Sequence, residues 1–360
     1  MHIFDCKTRI ISGADALSWL RGRQCQRLLM VTDPYFRENG WAEKIAESVE
    51  AEKREIFDKV KPDPTVELAA EGTALMGQLK PDLLIALGGG SALDTAKAMM
   101  YFSKEKVTFV AIPTTSGSGS EVTNFSVLTH GALKHPLIDR CMQPDVAILA
   151  AELVEKLPPS LVADGGFDVL SHAAEAFVAT KADAISRALA GSAFATVFGK
   201  LSASFRGDTR VRGEIHLAST MAGIAFSQAG LGMCHALSHS LGGIFHIPHG
   251  RLNAILLPAV IGCNAYAAGE KYAKMAQAAG LGGSAVTMGV RSLRNALVRL
   301  RRELDMPATL VEAGIRPSEV WGRQKELVAA TLADPCCSTN PVPVEEFMVR
   351  KVLEEVTGRG

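Results

Sequence analysis

The chain has 360 residues, with 38 Lys+Arg against 38 Asp+Glu, so its formal net charge is zero with histidine neutral; 48% of it is hydrophobic and 21% charged. This composition belongs to a globular protein with a large core and excludes a collagen, a long coiled coil and an extended disordered chain. Lacking an excess of Lys and Arg, it is not a dedicated binder of nucleic acid or anionic membrane, and its length calls for two hydrophobic cores rather than one.

The first residues, Met1 to Arg9, carry Asp5, Lys7 and Arg9, which interrupt any apolar run and leave no secretory segment there. Beyond them strand-like and helix-like segments alternate. Leu28–Thr32 is a short apolar run that ends at Asp33-Pro34 and reads as a buried strand, followed by a helix over about 35–51. A strand over 55–60 comes next, then a helix opened by Pro62-Asp63-Pro64-Thr65 that runs to Leu79. Asp82–Leu87 is a strand stopped by Gly88-Gly89-Gly90, Ser91 caps a helix through Phe102, and 107–112 is another strand. This alternation predicts a parallel sheet with helices on both faces.

Two loops in this half suit a phosphate-bearing ligand. Gly88-Gly89-Gly90-Ser91 joins a strand to a helix; glycines admit close backbone approach, and a helix N-terminus offers unpaired N–H groups. It does not complete G-x-G-x-x-G, so it is no standard dinucleotide fingerprint. Asp94 and Lys97 follow within two turns, and a second strand ends in the hydroxyl-rich Thr114-Thr115-Ser116-Gly117-Ser118-Gly119-Ser120-Glu121. Both loops fall at carboxyl ends of strands, where open α/β sheets bind ligands. Asp33 also ends a strand; a carboxylate there can accept from a ribose diol and repel a 2′-phosphate, favouring NAD over NADP, or it can simply form the turn before Pro34.

Near Leu157-Pro158-Pro159-Ser160 the rhythm changes, and the expected domains are residues 1–158 and 159–360, with a cleft between them. The second half reads as helices over 168–180, 185–204, 212–228, 234–243, 271–279 and 286–304. In the last, Arg291, Arg294, Arg299, Arg301 and Arg302 make a basic run, either an anion site or, as we favour, a solvated helix face. The seven cysteines include no Cys-x-x-Cys pair, which fits reduced thiols in a cytoplasmic protein and argues against a cysteine zinc knuckle. From Ile215 to Gly250 there is no Asp, Glu, Lys or Arg, yet five of the nine histidines lie there. That stretch fits buried helices around a polar site rather than a lipid-facing span. Asp168 and His172 are four apart, as are His235 and His239, so each pair shares a helix face; His249 follows in Ile247-Pro248-His249-Gly250. Imidazoles with one carboxylate suit Fe²⁺ or Zn²⁺. Spacing does not say which three histidines bind, and His216 and His246 stay open for core or pocket roles.

Three motifs then meet a known family: Gly88–Lys97 (GGGSALDTAK), Ile112–Thr123 (IPTTSGSGSEVT), and Gly232–His239 (GMCHALSH) running on to Pro248-His249-Gly250, with Asp168-Val169-Leu170-Ser171-His172 as a fourth. Over nearly its whole length the chain resembles an iron-containing (group III) alcohol dehydrogenase. The resemblance implies the dehydroquinate synthase-like fold, an α/β nucleotide-binding domain with a parallel sheet followed by an all-helical metal-binding domain. It implies Asp168, His172, His235 and His249 as ligands of Fe²⁺, with Zn²⁺ the alternative, and His239 as the proton-handling residue beside them. It implies NAD(H) bound by Asp33, Gly89, Gly90, Ser91, Asp94, Thr114, Thr115, Ser118 and Lys134. Within the family the chain looks most like the short-chain alcohol dehydrogenases of bacterial microcompartments, which reduce propionaldehyde or acetaldehyde and recycle NAD; residues 225–232 and Thr339-Asn340-Pro341 suggest that branch. The expected activity is interconversion of short-chain primary alcohols and aldehydes, in the cytoplasm or inside a microcompartment, by a homodimer or larger homo-oligomer, with shell or enzyme partners in the encapsulated case. A glycerol or polyol dehydrogenase and a dehydroquinate synthase-like lyase share the fold; a non-catalytic microcompartment scaffold is the alternative of another class. Asp164-Gly165-Gly166-Phe167 and Ser240 depart from the residues the family more often has there, Ala-Thr-Gly-Met and Pro, without touching a ligand.

Overall fold

In a computed structural model, residues 4–130, 133–283 and 285–357 are described, apart from the side chains of Leu133 and Lys134. The chain forms two units, one spanning Asp5–Leu157 and the other running from Pro158 onward.

The first unit is built on strands β1 (Arg9–Gly13), β2 (Gln24–Thr32), β3 (Glu50–Phe57), β4 (Leu83–Gly88), β5 (Thr108–Pro113), β6 (Phe125–His130), β7 (Leu133–Ile138) and β8 (Val146–Ala150). Its helices are α1 (Pro34–Glu38), α2 (Trp41–Glu47), α3 (Val66–Leu79), α4 (Gly90–Ser103) and α5 (Ala151–Val154). Six strands make one sheet in the order β1-β8-β5-β4-β2-β3, and every pairing is parallel. The central strands are continuous apolar runs because both faces are covered: β4 is buried at every position, and so is β2 from Leu28 to Thr32. Met30, Ile85 and Ile112 pack on one face, Val31, Ala86 and Ala111 on the other, as period-two alternation requires. β6 and β7 form a separate antiparallel hairpin. Where one helix was expected over 35–51 there are two, broken at Gly40, whose φ of 79° favours glycine, and the strand that follows begins at Glu50.

The second unit is helical: α6 (Pro159–Val178), α7 (Ala184–Phe205), α8 (Arg212–Ala229), α9 (Met233–Phe245), α10 (His249–Ala278), α11 (Val286–Glu303), α12 (Pro317–Gly322), α13 (Gln324–Ala333) and α14 (Glu346–Thr357). The charge-free stretch becomes most of α8, all of α9 and the first turn of α10. By length and composition α10 could cross a bilayer, but 78% of its apolar window is buried inside the unit. It runs unbroken through Pro258, which supplies no N–H to the carbonyl of Ala254. That carbonyl accepts from Arg301 Nη1 at 3.2 Å, while Arg294 Nε donates to Pro258 O at 2.7 Å. The basic run on α11 is therefore neither an anion site nor wholly a solvated face: two of its arginines satisfy the backbone of the neighbouring α10 around its proline. Gly262 makes the room, since a Cβ there would lie 2.9 Å from the Arg294 guanidinium carbon. Replacing Arg301 with Met leaves a buried carbonyl without a donor and is expected to cost about 1–3 kcal/mol, read as a lower urea midpoint at unchanged slope.

Candidate active site

In the first unit, β4 ends in Gly88, whose φ of 151° and whose approach to Ala92 (a Cβ would come within 2.6 Å of the Ala92 Cβ) leave room for no side chain. α4 then starts at Gly90. The two glycine- and hydroxyl-rich loops face each other: a Cβ on Gly89 would meet Thr115 at 3.3 Å, and one on Gly90 would meet Ser118 at 3.3 Å. Thr114 N donates to Gly88 O at 3.0 Å. Gly89, Gly90, Thr114, Thr115 and Ser118 thus lie together, with Ser91 in the first turn of α4. Asp33 caps α1 by accepting from Phe36 N at 3.2 Å, and burial raises its carboxyl above the usual range against that hydrogen bond.

Asp94 is occupied within the protein. Its Oδ1 accepts from the Ser120 hydroxyl at 2.7 Å and its Oδ2 from Val127 N at 3.0 Å. Asp63, Pro64, Ser91, Asp94, Val127 and Thr129 line a pocket beside the glycine loop. Asp63 escaped the sequence reading, which took its Pro-Asp-Pro-Thr context only as a helix opening; its φ of 55° marks it as a turn residue. Lys134 has its side chain outside the described residues.

In the second unit, α6 presents Asp168 and His172, α9 presents His235, and His249 is the first residue of α10. Asp168 Oδ1 lies 3.8 Å from His172 Nδ1, 3.9 Å from His235 Nε2 and 3.6 Å from His249 Nε2. These separations are too long for hydrogen bonds. They suit ligands of one cation: bonds of about 2.1 Å in a tetrahedron hold donors about 3.4 Å apart. Asp168, His172 and His235 offer ligand atoms all within 4.8 Å of one another, and all three residues are buried. Around the one carboxylate the imidazoles divide in basicity. Burial works against the charged form of His235, but Asp168 and Glu175 raise it to about 9. Burial and the neighbouring histidines hold His249 well below the usual range. Asp168 itself, despite burial, is kept far below the carboxylate range by His172, His249 and His235. The donor set fits a resident divalent iron or zinc ion.

Three further residues, absent from the sequence reading, orient this set. Glu175, one turn beyond His172 on α6, accepts from Gly232 N (2.9 Å), Cys234 N (2.7 Å) and His235 Nδ1 (2.6 Å). It caps α9 and fixes the tautomer of His235, turning Nε2 toward Asp168. Asn253, on α10 one turn beyond His249, donates to Asp168 Oδ1 at 2.9 Å, and its Oδ1 accepts from the Ser238 hydroxyl. His239 Nδ1 meets Asp334 Oδ2 at 2.8 Å. Of these, only Glu175 left a signal in the sequence, an acid at i+3 from His172 and i+7 from Asp168.

The departures noted above also find places. Asp164 holds Arg251 through two bonds, 3.2 and 2.9 Å, and Ser240 bonds Ala236 O and the Thr331 hydroxyl. Thr339 and Asn340 brace the start of α9: the Thr339 hydroxyl donates to Leu231 O at 2.6 Å, and Asn340 Oδ1 accepts from Met233 N at 3.2 Å. His246 ends α9 with a φ of 54°, a cap rather than a member of the cluster. His216 is buried in α8.

An α/β unit with a glycine-rich strand-to-helix loop and a helical unit with a three-histidine, one-carboxylate cluster together define a metal- and dinucleotide-dependent oxidoreductase. The sequence pattern of the iron-containing alcohol dehydrogenases matches residues 7–151, and that of the Fe-containing alcohol dehydrogenase family, C-terminal, matches residues 162–357. The 1-propanol dehydrogenase PduQ of Salmonella typhimurium is 38% identical over 369 residues, covering 99% of this chain and 100% of that protein. The NADPH-dependent butanol dehydrogenase of Clostridium saccharobutylicum is 37% identical, covering 96% and 92%. Among solved structures, the iron-containing alcohol dehydrogenase of Thermococcus thioreducens matches with a TM-score of 0.91 at 31% identity, covering 98% of this chain and 99% of that one. The chain belongs to the iron-containing alcohol dehydrogenase family. It is an iron-using enzyme that interconverts alcohols and aldehydes, as the resemblance in its sequence implied.

Proposed function

We propose that this enzyme interconverts short-chain primary alcohols and aldehydes, 1-propanol and propionaldehyde foremost, and works as an aldehyde reductase that regenerates NAD. The observation that carries the site is the approach of three imidazole nitrogens to one oxygen of Asp168 at 3.6–3.9 Å. Asp168, His172, His235 and His249 would hold Fe²⁺, with Zn²⁺ the alternative. When bound, that ion supplies Lewis-acid polarisation of the substrate oxygen, and NAD(H) exchanges the hydride. The protein's own part is to orient and to move a proton. Glu175 and Asn253 hold His235 and Asp168 in their ligating orientations. His239 accepts the alcohol proton in oxidation and returns it in reduction. Asp33, Gly89, Gly90, Ser91, Thr114, Thr115 and Ser118 would bind the dinucleotide, with Asp94 holding their loop and Lys134 a further candidate.

The surroundings support a small uncharged substrate. Residues 215–250 carry no Asp, Glu, Lys or Arg, Phe226 stacks on His172 with ring centroids 4.4 Å apart, and the one arginine that follows His249 closely, Arg251, is neutralised by Asp164. The likeness to the 1-propanol and butanol dehydrogenases supports a chain of three or four carbons. A homo-oligomer, and residence in the cytoplasm or a microcompartment, belong to the same proposal.

The test is coenzyme consumption by anaerobically purified protein, with and without Fe²⁺, across C2 to C4 aldehydes and glycerol. Propionaldehyde with NADH should give the highest kcat/KM, activity should require the metal, and His235→Ala should lose iron and turnover together. A preference for glycerol would replace the substrate, and full turnover by iron-free His235→Ala would remove the metal assignment.

A further inference from the structure

His239, Asp334 and Cys336 form a second group of potential ligands whose donor atoms lie within 4.8 Å of one another. One observation argues against a cation there. The 2.8 Å between His239 Nδ1 and Asp334 Oδ2 is a charge-assisted hydrogen-bond length, shorter than the roughly 3.4 Å that two ligands of one ion keep. What remains is a histidine–carboxylate pair held from behind. Asp334 opens a short 3₁₀ turn over Pro335–Thr339, and its Oδ1 accepts from Cys336 N at 2.8 Å. One carboxylate oxygen is thus fixed by the backbone, and the other faces the imidazole. The imidazole lies nearly parallel to that of His249, with centroids 5.2 Å apart, and edge-on to that of His235 at 6.3 Å. An acceptor at Nδ1 places the ring proton on Nδ1 and leaves Nε2 as the unprotonated nitrogen.

We propose that Asp334 is a positioning residue that locks His239 as its Nδ1–H tautomer, so that Nε2 is kept as the acceptor of the alcohol proton. The inference rests on the reading of His239 as the proton-handling residue. Besides His239, Asp334 meets the amide and the thiol of Cys336, and an asparagine would accept from both equally well through its Oδ1. Its Nδ2 would then face His239 Nδ1 and force the opposite tautomer, with Nε2 protonated and unable to accept.

The experiment is a double-mutant cycle on the iron-loaded enzyme with Asp334→Asn, His239→Ala and the pair. It is read as kcat, aldehyde KM and bound iron, and is joined by nitrogen-15 histidine NMR of the zinc-loaded wild type and Asp334→Asn. Asp334→Asn should lower kcat about 10²-fold, within the range of a general base, at unchanged iron content and nearly unchanged KM. In the His239→Ala background it should change kcat less than about twofold, since the two residues act as one unit. The NMR should show His239 moving from the Nδ1–H to the Nε2–H form. Should Asp334→Asn misfold, Asp334→Ala, which neither accepts nor donates, carries the same cycle with a smaller loss. An equal loss in both backgrounds, a loss of iron, or an unchanged tautomer overturns the inference. Wild-type kcat in His239→Ala would remove the reading of His239 on which it rests.

Discussion

Glu175→Ala is expected to release the metal. The side chain is buried and does two things at once: it accepts from the first amides of α9, Gly232 N and Cys234 N, and from His235 Nδ1. Alanine leaves three buried amides, those of Gly232, Cys234 and His235, without this partner, each costing about 1–3 kcal/mol, and frees the His235 ring to turn or change tautomer. Loss of a carboxylate that orients a metal-bound histidine commonly lowers metal affinity about 10–100-fold; here the helix that carries the ligand is loosened as well, so the upper end is expected. Chelator competition followed by elemental analysis reads the affinity, and urea unfolding of the metal-free protein reads the capping contribution separately. Glu175→Gln keeps the volume and can leave its Oε1 to Gly232 N and His235 Nδ1 while its NH₂ opposes Cys234 N alone, so its loss should fall between wild type and alanine. Wild-type iron retention in both variants would mean that α9 and His235 are held by something other than this carboxylate.

What the sequence disclosed, and what it hid, divides by the range of the interactions. The central strands β2, β4 and β5 were legible because strands covered on both faces are unbroken apolar runs. The ligand pair on α6 was legible because i, i+4 spacing is local. The orienting residues were not: Glu175 acts on His235 across 60 positions and Asp334 on His239 across 95. Glu175 shares the ligand face of α6, but nothing local says what it bonds, and Asp334 is simply an acid before a proline. The edge strand β1 and its neighbour β8 have five residues each and border segments rich in charge or alanine. The thirty-residue α10 was read only from Lys271 onward because Pro258 stops a helix in isolation; Arg301 on α11 supplies the donor that makes the helix tolerable, and no local pattern contains that pairing. Asp94 was legible as important, but the part it plays, tying Ser120 and β6 to α4, shows only in three dimensions.

The same loop gives the last prediction. Lys97 is fully buried in α4, and its ammonium donates to Ser120 Oγ (2.8 Å), Thr123 Oγ1 (2.7 Å) and Phe125 O (3.0 Å). Three donors meet three acceptors, so the cation anchors the segment that follows Thr114–Ser118 to the helix that begins at Gly90. Burial nonetheless outweighs the attraction of Asp94 and Glu121 and lowers its pKa to about 8, against about 10.4 for an unfolded chain. In the window between those values the unfolded state binds more protons than the native state, so the contribution of Lys97 to stability grows as pH rises. It is fully present only above the unfolded value and is lost as pH falls through about 8. A Lys97→Met variant lacks the titration. Its urea stability measured against wild type should therefore fall further behind by about 2 kcal/mol from about pH 7.5 to about pH 9.5. The other titrating groups cancel in the comparison because both proteins share them. A constant difference across that range would mean that the ammonium is stabilised by its carboxylate neighbours as strongly as burial penalises it, and a shrinking one that they win. Either result would recast Lys97 as half of an ion pair rather than a desolvated anchor whose hydrogen bonds, not its charge, hold the glycine-facing loop.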